Sequence, residues 1–200
     1  MILPEWVFLG YRVKRPYEAW GLRICCVGES LCEPPEGWVD RWDFNIGSCY
    51  STPEDAWATV SSKHDTYRLF AYDLLPLWLC TGDEPEAVPV EEILDTGLIA
   101  LPPRPSELLG MKELGYDVAE RFSLHWPYSP LLNNGFSEEF TTNGYGLIDD
   151  IEVALQACCR INERIPEHHK HWLVKVFAKD IDTPLWTPEV QKWYMEGPSN

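Results

Sequence analysis

Apolar positions along the 200-residue chain fall into short runs separated by turn residues. Residues 5–15 (EWVFLGYRVKR) are aromatic and β-branched, which predicts a strand. LRICCV at 22–27 predicts a short strand, inside a segment punctuated by Pro16, Gly21, Gly28, Pro34, Pro35 and Gly37. Residues 41–50 predict another strand, kinked or bulged at Gly47. Residues 66–79 read as a long strand with an apolar bias, and 113–122 as a further one. In 171–181, Leu173, Lys175 and Phe177 alternate with Trp172, Val174 and Val176, again a strand pattern.

Two stretches carry helix signals. In YSTPEDAW (50–57), Ser51 or Thr52 can cap a helix and Pro53 suits its first position, where the missing N–H has no partner to lose. Glu54 stands three residues after Ser51, the spacing of a capping box, and the helix is expected over 53–62. In YGLIDDIEVAL, Asp149 is the expected cap with Glu152 three residues on. Ile151, Ala154, Leu155 and Cys158 then recur at i, i+3, i+4 and i+7, which predicts a helix over 150–164.

The order of elements repeats. Gly10-Tyr11-Arg12-Val13 matches Gly115-Tyr116-Asp117-Val118, Ser51…Glu54…Ala56 matches Asp149…Glu152…Ala154, and Ala71-Tyr72-Asp73 matches Ala178-Lys179-Asp180. The expected fold class is α+β, a mostly antiparallel sheet built from two pseudo-repeats of strand-loop-strand-helix-strand, one main helix per half. Residues 1–80 and 111–182 would be the two repeats. Residues 81–110 read as an acidic, Pro-rich connector crossing the surface, and 183–200 as an aromatic C-terminal tail. Whether the halves share one core is left open by the pattern.

Composition sharpens the picture. A hydrophobic fraction of 45% with ten Trp is enough to build a core without disulfide staples. The 32 acidic and 16 basic side chains leave a net charge of −16, which repels phosphate backbones and anionic bilayers at long range. No nucleic acid and no membrane partner is expected, and a basic protein is favoured. The seven cysteines are odd in number and include the adjacent pairs Cys25-Cys26 and Cys158-Cys159, which points to free thiols in a reducing, cytoplasmic setting. The first residues lack a basic n-region and a small-residue cleavage site, so no signal peptide is expected.

Catalytic patterns are missing. There is no G-x-S-x-G, no G-x-x-x-x-G-K-[ST] and no G-x-G-x-x-G. His168, His169 and His171 stand at i, i+1 and i+3, which converge poorly on a metal, and read as a solvated loop before a strand. Cys25, Cys26 and Cys32 form no C-x-x-C pair. No metal and no cofactor is expected, no residue earns a catalytic role, and the balance is against an enzyme. His125, beside Trp126 and Tyr128, is the best lone pocket candidate.

In size, charge and want of catalytic motifs the chain resembles bacterial immunity proteins that neutralise secreted nuclease toxins. That resemblance implies an acidic module that occludes a basic partner such as a toxin. The surfaces expected to carry it are Asp83, Glu84, Glu86, Glu91, Glu92 and Asp95, then Glu138 and Glu139, with Trp186 and Trp193 as aromatic anchors. The alternative starts from the strand, Tyr–Ser step and helix at 50–53. That step resembles ADP-ribosyltransferase-like folds and implies a nucleotide-binding or enzymatic pocket near Tyr50 and Ser51, with His125 as a third lining residue.

Overall fold

A computed structural model describes residues 3–14, 17–19, 22–24, 49–50, 52–58, 67–80, 82, 84–94, 101–106, 108, 110–120, 129–131, 136–166 and 170–179. The protein is a mixed α+β fold with few helices, organised on an antiparallel sheet. Strands β1 (Val7–Lys14), β4 (Arg68–Leu75), β7 (Lys112–Glu120) and β8 (His171–Ala178) form a four-stranded sheet in the order β1-β4-β8-β7. Every pairing in it is antiparallel. Two small ladders stand apart: β2 (Tyr17–Ala19) with β3 (Leu22–Ile24), and β5 (Leu77–Trp78) with β6 (Glu86–Ala87). The helices are α1 (Pro53–Ala58), α2 (Val90–Leu94), α3 (Phe136–Glu139) and α4 (Ile151–Arg164).

Proline explains one departure from the expected elements. The strand predicted over 66–79 is two strands, because Pro76 has no N–H to give a ladder and separates β4 from β5. The Pro76 carbonyl instead accepts from Val88 N at 3.1 Å, which turns the chain into the β5–β6 ladder.

The edge strands are shaped by glycine. Gly10 in β1 and Gly115 in β7 sit at φ 120° and 133°, each at a register shift, between Phe8 and Gly10 and between Glu113 and Gly115. The next residue in each strand exchanges two backbone hydrogen bonds with a segment lying outside the sheet: Tyr11 with Tyr50, and Tyr116 with Ile148. A Cβ on Gly10 would stand 2.5 Å from Tyr50 O, and one on Gly115 2.7 Å from Ile148 O. Only glycine fits so close an approach at that φ.

One face of the sheet is covered by α1 and α4. Around α4, Leu75, Tyr116, Val118 and Leu173 of the sheet meet Ala154, Ala157, Cys158 and Ile161, with Leu131 and Phe136 closing the side. Around α1, Phe8, Tyr11, Leu69, Ala71 and Phe177 enclose Ala56. The lead-in segments change sides. Leu3 and Trp6, before β1, pack into the α4 cluster, whereas Leu108 and Met111, before β7, pack into the α1 cluster. Asp73 is the one buried carboxylate of β4, and Arg104 binds it at 2.8 Å through Nη2 and at 3.3 Å through Nε. That hydrogen bond, with the Asp73 charge adding to it, holds the Arg104 guanidinium above its usual pKa against the lowering by burial.

The opposite face carries Phe70, Tyr72, Leu74, Trp172, Val174 and Val176, covered by Ile93 of α2 with Val88, Val90 and Leu101 beside it. The stretch expected to run over the surface as a connector therefore contributes a fully buried side chain, Ile93. Val88, Val90, Ile93 and Leu101 of it pack on this face, and burial of a single isoleucine is worth about 1.5–3 kcal/mol.

Two local expectations are corrected. Asp150, not Asp149, caps α4: its Oδ1 accepts from Glu152 N at 2.8 Å and Val153 N at 3.0 Å. Asp149 is taken by Asn143, whose Nδ2 donates to it at 2.6 Å within the turn before the helix. His171 is not a solvated loop residue; it opens β8 with no exposed surface, tied through its N–H to Asn162 Oδ1 at 2.8 Å.

Candidate interaction surface

The β5–β6–α2 unit turns a flexible-looking acidic sequence into a fixed one. Trp78 of β5 stands opposite Glu86 of β6 and packs its ring against Trp172 of the sheet at 6.0 Å. Pro89 accepts from Glu92 N at 3.0 Å and starts α2, and Ile93 locks that turn into the core. With the apolar side committed inward, Glu84, Glu86, Glu91 and Glu92 all face solvent. None of the four carboxylates forms an ion pair or hydrogen bond among the described residues. Lys170 Nζ lies 4.7 Å from the Trp78 ring. Four carboxylates within nine residues, on a unit anchored to the sheet, give a local negative field that reaches about one Debye length, roughly 8 Å, at physiological salt.

The second expected acidic patch is different. Glu139 is exposed, yet Arg160 Nε reaches it at 3.2 Å and Arg164 Nη1 at 2.7 Å. Arg160 also pairs with Glu163 at 2.7 Å, and Arg164 lies over the Phe136 ring at 4.6 Å. The Glu139 carboxylate thus braces α3 against α4 and offers little uncompensated charge to a partner. Glu138 belongs to α3, and its side chain is outside the description. Asp83, Asp95, Trp186 and Trp193 lie outside the described residues.

For the alternative pocket, Tyr50 is described, while Ser51 and His125 lie outside the described residues. Tyr50 is half-buried against the α1 cluster and its backbone is spent on Tyr11. Among the described residues no three His, Cys, Asp or Glu side chains gather as metal ligands would, and no helix is long and apolar enough to cross a membrane.

Several polar positions went unnoticed in the sequence. Asn162 donates to Leu79 O at 2.9 Å and to His171 O at 3.0 Å, so one amide ties β5's exit, α4 and β8 together. Asp117 accepts from Ser129 at 2.5 Å and from its own neighbour Val118 N at 2.9 Å. The only signal for these was a lone polar residue inside an apolar run, such as Asp73 in RLFAYDLL. Such a residue shows that a partner is needed without saying which.

No family model, no curated protein and no solved structure matches the chain.

Proposed function

We propose that the protein is an acidic binding module that occludes a basic protein partner, in the manner of an immunity or inhibitor protein. The observation carrying this reading is that the carboxylates of Glu84, Glu86, Glu91 and Glu92 are exposed and unpaired among the described residues, on a unit fixed by Trp78 and Ile93, whereas the comparable Glu139 is neutralised by two arginines. A pre-set field of one sign speeds encounter with an opposite field and penalises partners of like charge. The net charge of −16 extends the same preference over the molecule and disfavours nucleic acid. Free thiols at Cys49, Cys80, Cys158 and Cys159 support a reducing, cytoplasmic setting.

The two halves are, in this reading, pseudo-repeats. Supporting it are the paired bulges at Gly10 and Gly115, the bridges Tyr11–Tyr50 and Tyr116–Ile148, and the exchange of lead-in residues between the α1 and α4 clusters. Gly10 faces Tyr72 and Gly115 faces Val176, and under this reading Lys175–Phe177 takes the place opposite β7 that Ala71–Asp73 takes opposite β1.

The test is affinity capture from native lysate at low and high salt, with wild type beside a variant carrying Glu84→Lys, Glu86→Lys, Glu91→Lys and Glu92→Lys. The expected result is a basic protein held at low salt, weakened at high salt and lost by the variant. Equal retention by both forms would sink the proposal. No specific protein at either salt would redirect the search to small ligands.

A further inference from the structure

The helix-covered face of the sheet has a charged strip between its two apolar clusters. Leu75 and Leu173 stand opposite each other in the α4 cluster, and Ala71 and Phe177 in the α1 cluster. Between those pairs, Phe8, Asp73, Lys175 and Tyr116 stand side by side across all four strands. Side chains two residues apart along a strand share a face, so Asp73 and Lys175 point to the helix side. Each is paired elsewhere: Asp73 with Arg104 at 2.8 Å, and Lys175 Nζ with Glu113 at 3.4 Å.

The two lead-in segments that change sides here are held differently. The one before β7 is tied by polar contacts, Arg104 to Asp73 and Met111 N to Leu108 O at 2.7 Å. The one before β1, residues 3–6, has neither helix nor strand, and it forms no hydrogen bond or ion pair among the described residues. Neighbouring strands lie about 4.8 Å apart, so three spacings, roughly 14 Å, separate β1 from β7. Trp6 directly precedes β1, yet its ring lies 5.9 Å from that of Tyr116 in β7, centroid to centroid. Lys175 Nζ lies 4.9 Å from the Trp6 ring and 5.4 Å from the Tyr116 ring. Leu3 and Trp6 are the side chains that hold the segment in the α4 cluster.

We infer that residues 3–6 form a strap over the strip between α1 and α4, locked by the Trp6 ring on Lys175 and Tyr116, and that the strap lifts while the sheet stays folded. A segment held by two side chains and no backbone hydrogen bond opens at a lower free energy than strands laced into a sheet. Contact between a cation and a ring is worth most where water is excluded, and only 18% of the Lys175 side chain is exposed, so the hold of the strap is concentrated at that point. Lifting it bares the Tyr116 ring and the Lys175 ammonium beside the Glu113 carboxylate. This surface and the acidic β6–α2 surface lie on opposite faces of the sheet, so either proposal can fail alone.

The test is fluorine NMR of the whole protein carrying fluorotryptophan, with the Trp6 line assigned through Trp6→Phe and the sheet followed by far-UV circular dichroism. In rising urea the Trp6 line of wild type should reach its unfolded position at a lower midpoint than the circular dichroism signal. Lys175→Met should shift the Trp6 line towards that position without urea, with the open population raised at least fivefold. Its circular dichroism midpoint should fall less than that of Asn162→Ala. Three results would overturn the inference: coincident midpoints in wild type, a Trp6 line in Lys175→Met that stays at the wild-type position, or loss of the folded sheet in that variant, which would make Lys175 a support of the sheet and not the lock of a strap.

Discussion

The two helices on the same face of the sheet do unequal work. α4 runs fourteen residues, is capped by Asp150, and buries Ala154, Ala157, Cys158, Ile161 and Asn162 against β7 and β8. α1 runs six residues and buries Ala56 against β1 and β4. The edges differ in the same sense: Asp117 and Ser129 close β7, while Arg12 stands at the matching place in β1. Two edge strands that share a glycine bulge and a bridged tyrosine carry different side chains beside them, so a like bulge does not bring a like environment. The α4 side has the longer buried helix face and a capped start, and the α1 side buries one alanine of its helix.

The largest effect should come from the α4 side. Asn162→Ala leaves His171 N without its acceptor and Leu79 O without its donor. Each orphaned buried group costs about 1–3 kcal/mol, so a loss of roughly 3 kcal/mol is expected in urea denaturation. A loss below about 1 kcal/mol would break the claim that α4 is the anchored side.

The glycine pair tests where the halves agree. Gly10→Ala and Gly115→Ala each place a Cβ under 3.0 Å from a carbonyl oxygen, at a positive φ. Each should cost about 2 kcal/mol or more. Similar losses, measured by urea midpoints at constant m-value, would sharpen the pseudo-repeat reading. A silent Gly10→Ala beside a damaging Gly115→Ala would remove its main support.

The smallest effect is in alkaline solution. Burial raises the pKa of the Cys158 thiol, with Cys159 adding to it, and raises Cys49 against the opposing pull of Arg12 and Lys14. A folded pKa above the unfolded one means that stability is complete below the unfolded value and falls as pH rises past it. The decline begins near pH 8.5–9 and cannot exceed about 1.4 kcal/mol per pH unit for each thiol. Burial also raises Tyr11, helped by Glu54, and Tyr116, helped by Glu113, which adds a second fall above about pH 10. Cys158→Ala should flatten the profile of urea midpoints between pH 8 and 10 more than Cys49→Ala does. The reverse order would mean that the cations beside Cys49 do not reach it.

Much of the architecture was readable in the chain because strand and helix signals are local. β-branched and aromatic runs marked β1, β7 and β8, Pro53 marked the start of α1, and the i, i+3, i+4, i+7 series marked α4. The errors were errors of neighbourhood. Adjacent aspartates at 149 and 150 are equivalent candidates for a cap until Asn143 claims one of them. The acidic stretch after β5 resembled a linker because its few apolar residues, Val88, Val90 and Ile93, have a purpose only once the sheet face is there to receive them.

What the sequence determined by itself is the α+β class, the large negative charge and the run of carboxylates from Glu84 to Glu92, since composition and period depend on no fold. Tertiary structure alone decided which charges are spent. Glu139 meets two arginines from a helix more than twenty residues away, Asp73 meets Arg104, and the carboxylates of Glu84, Glu86, Glu91 and Glu92 meet no cation among the described residues. Coulomb interaction is set by distance in space and by exclusion of water, and neither is written in the order of residues along the chain.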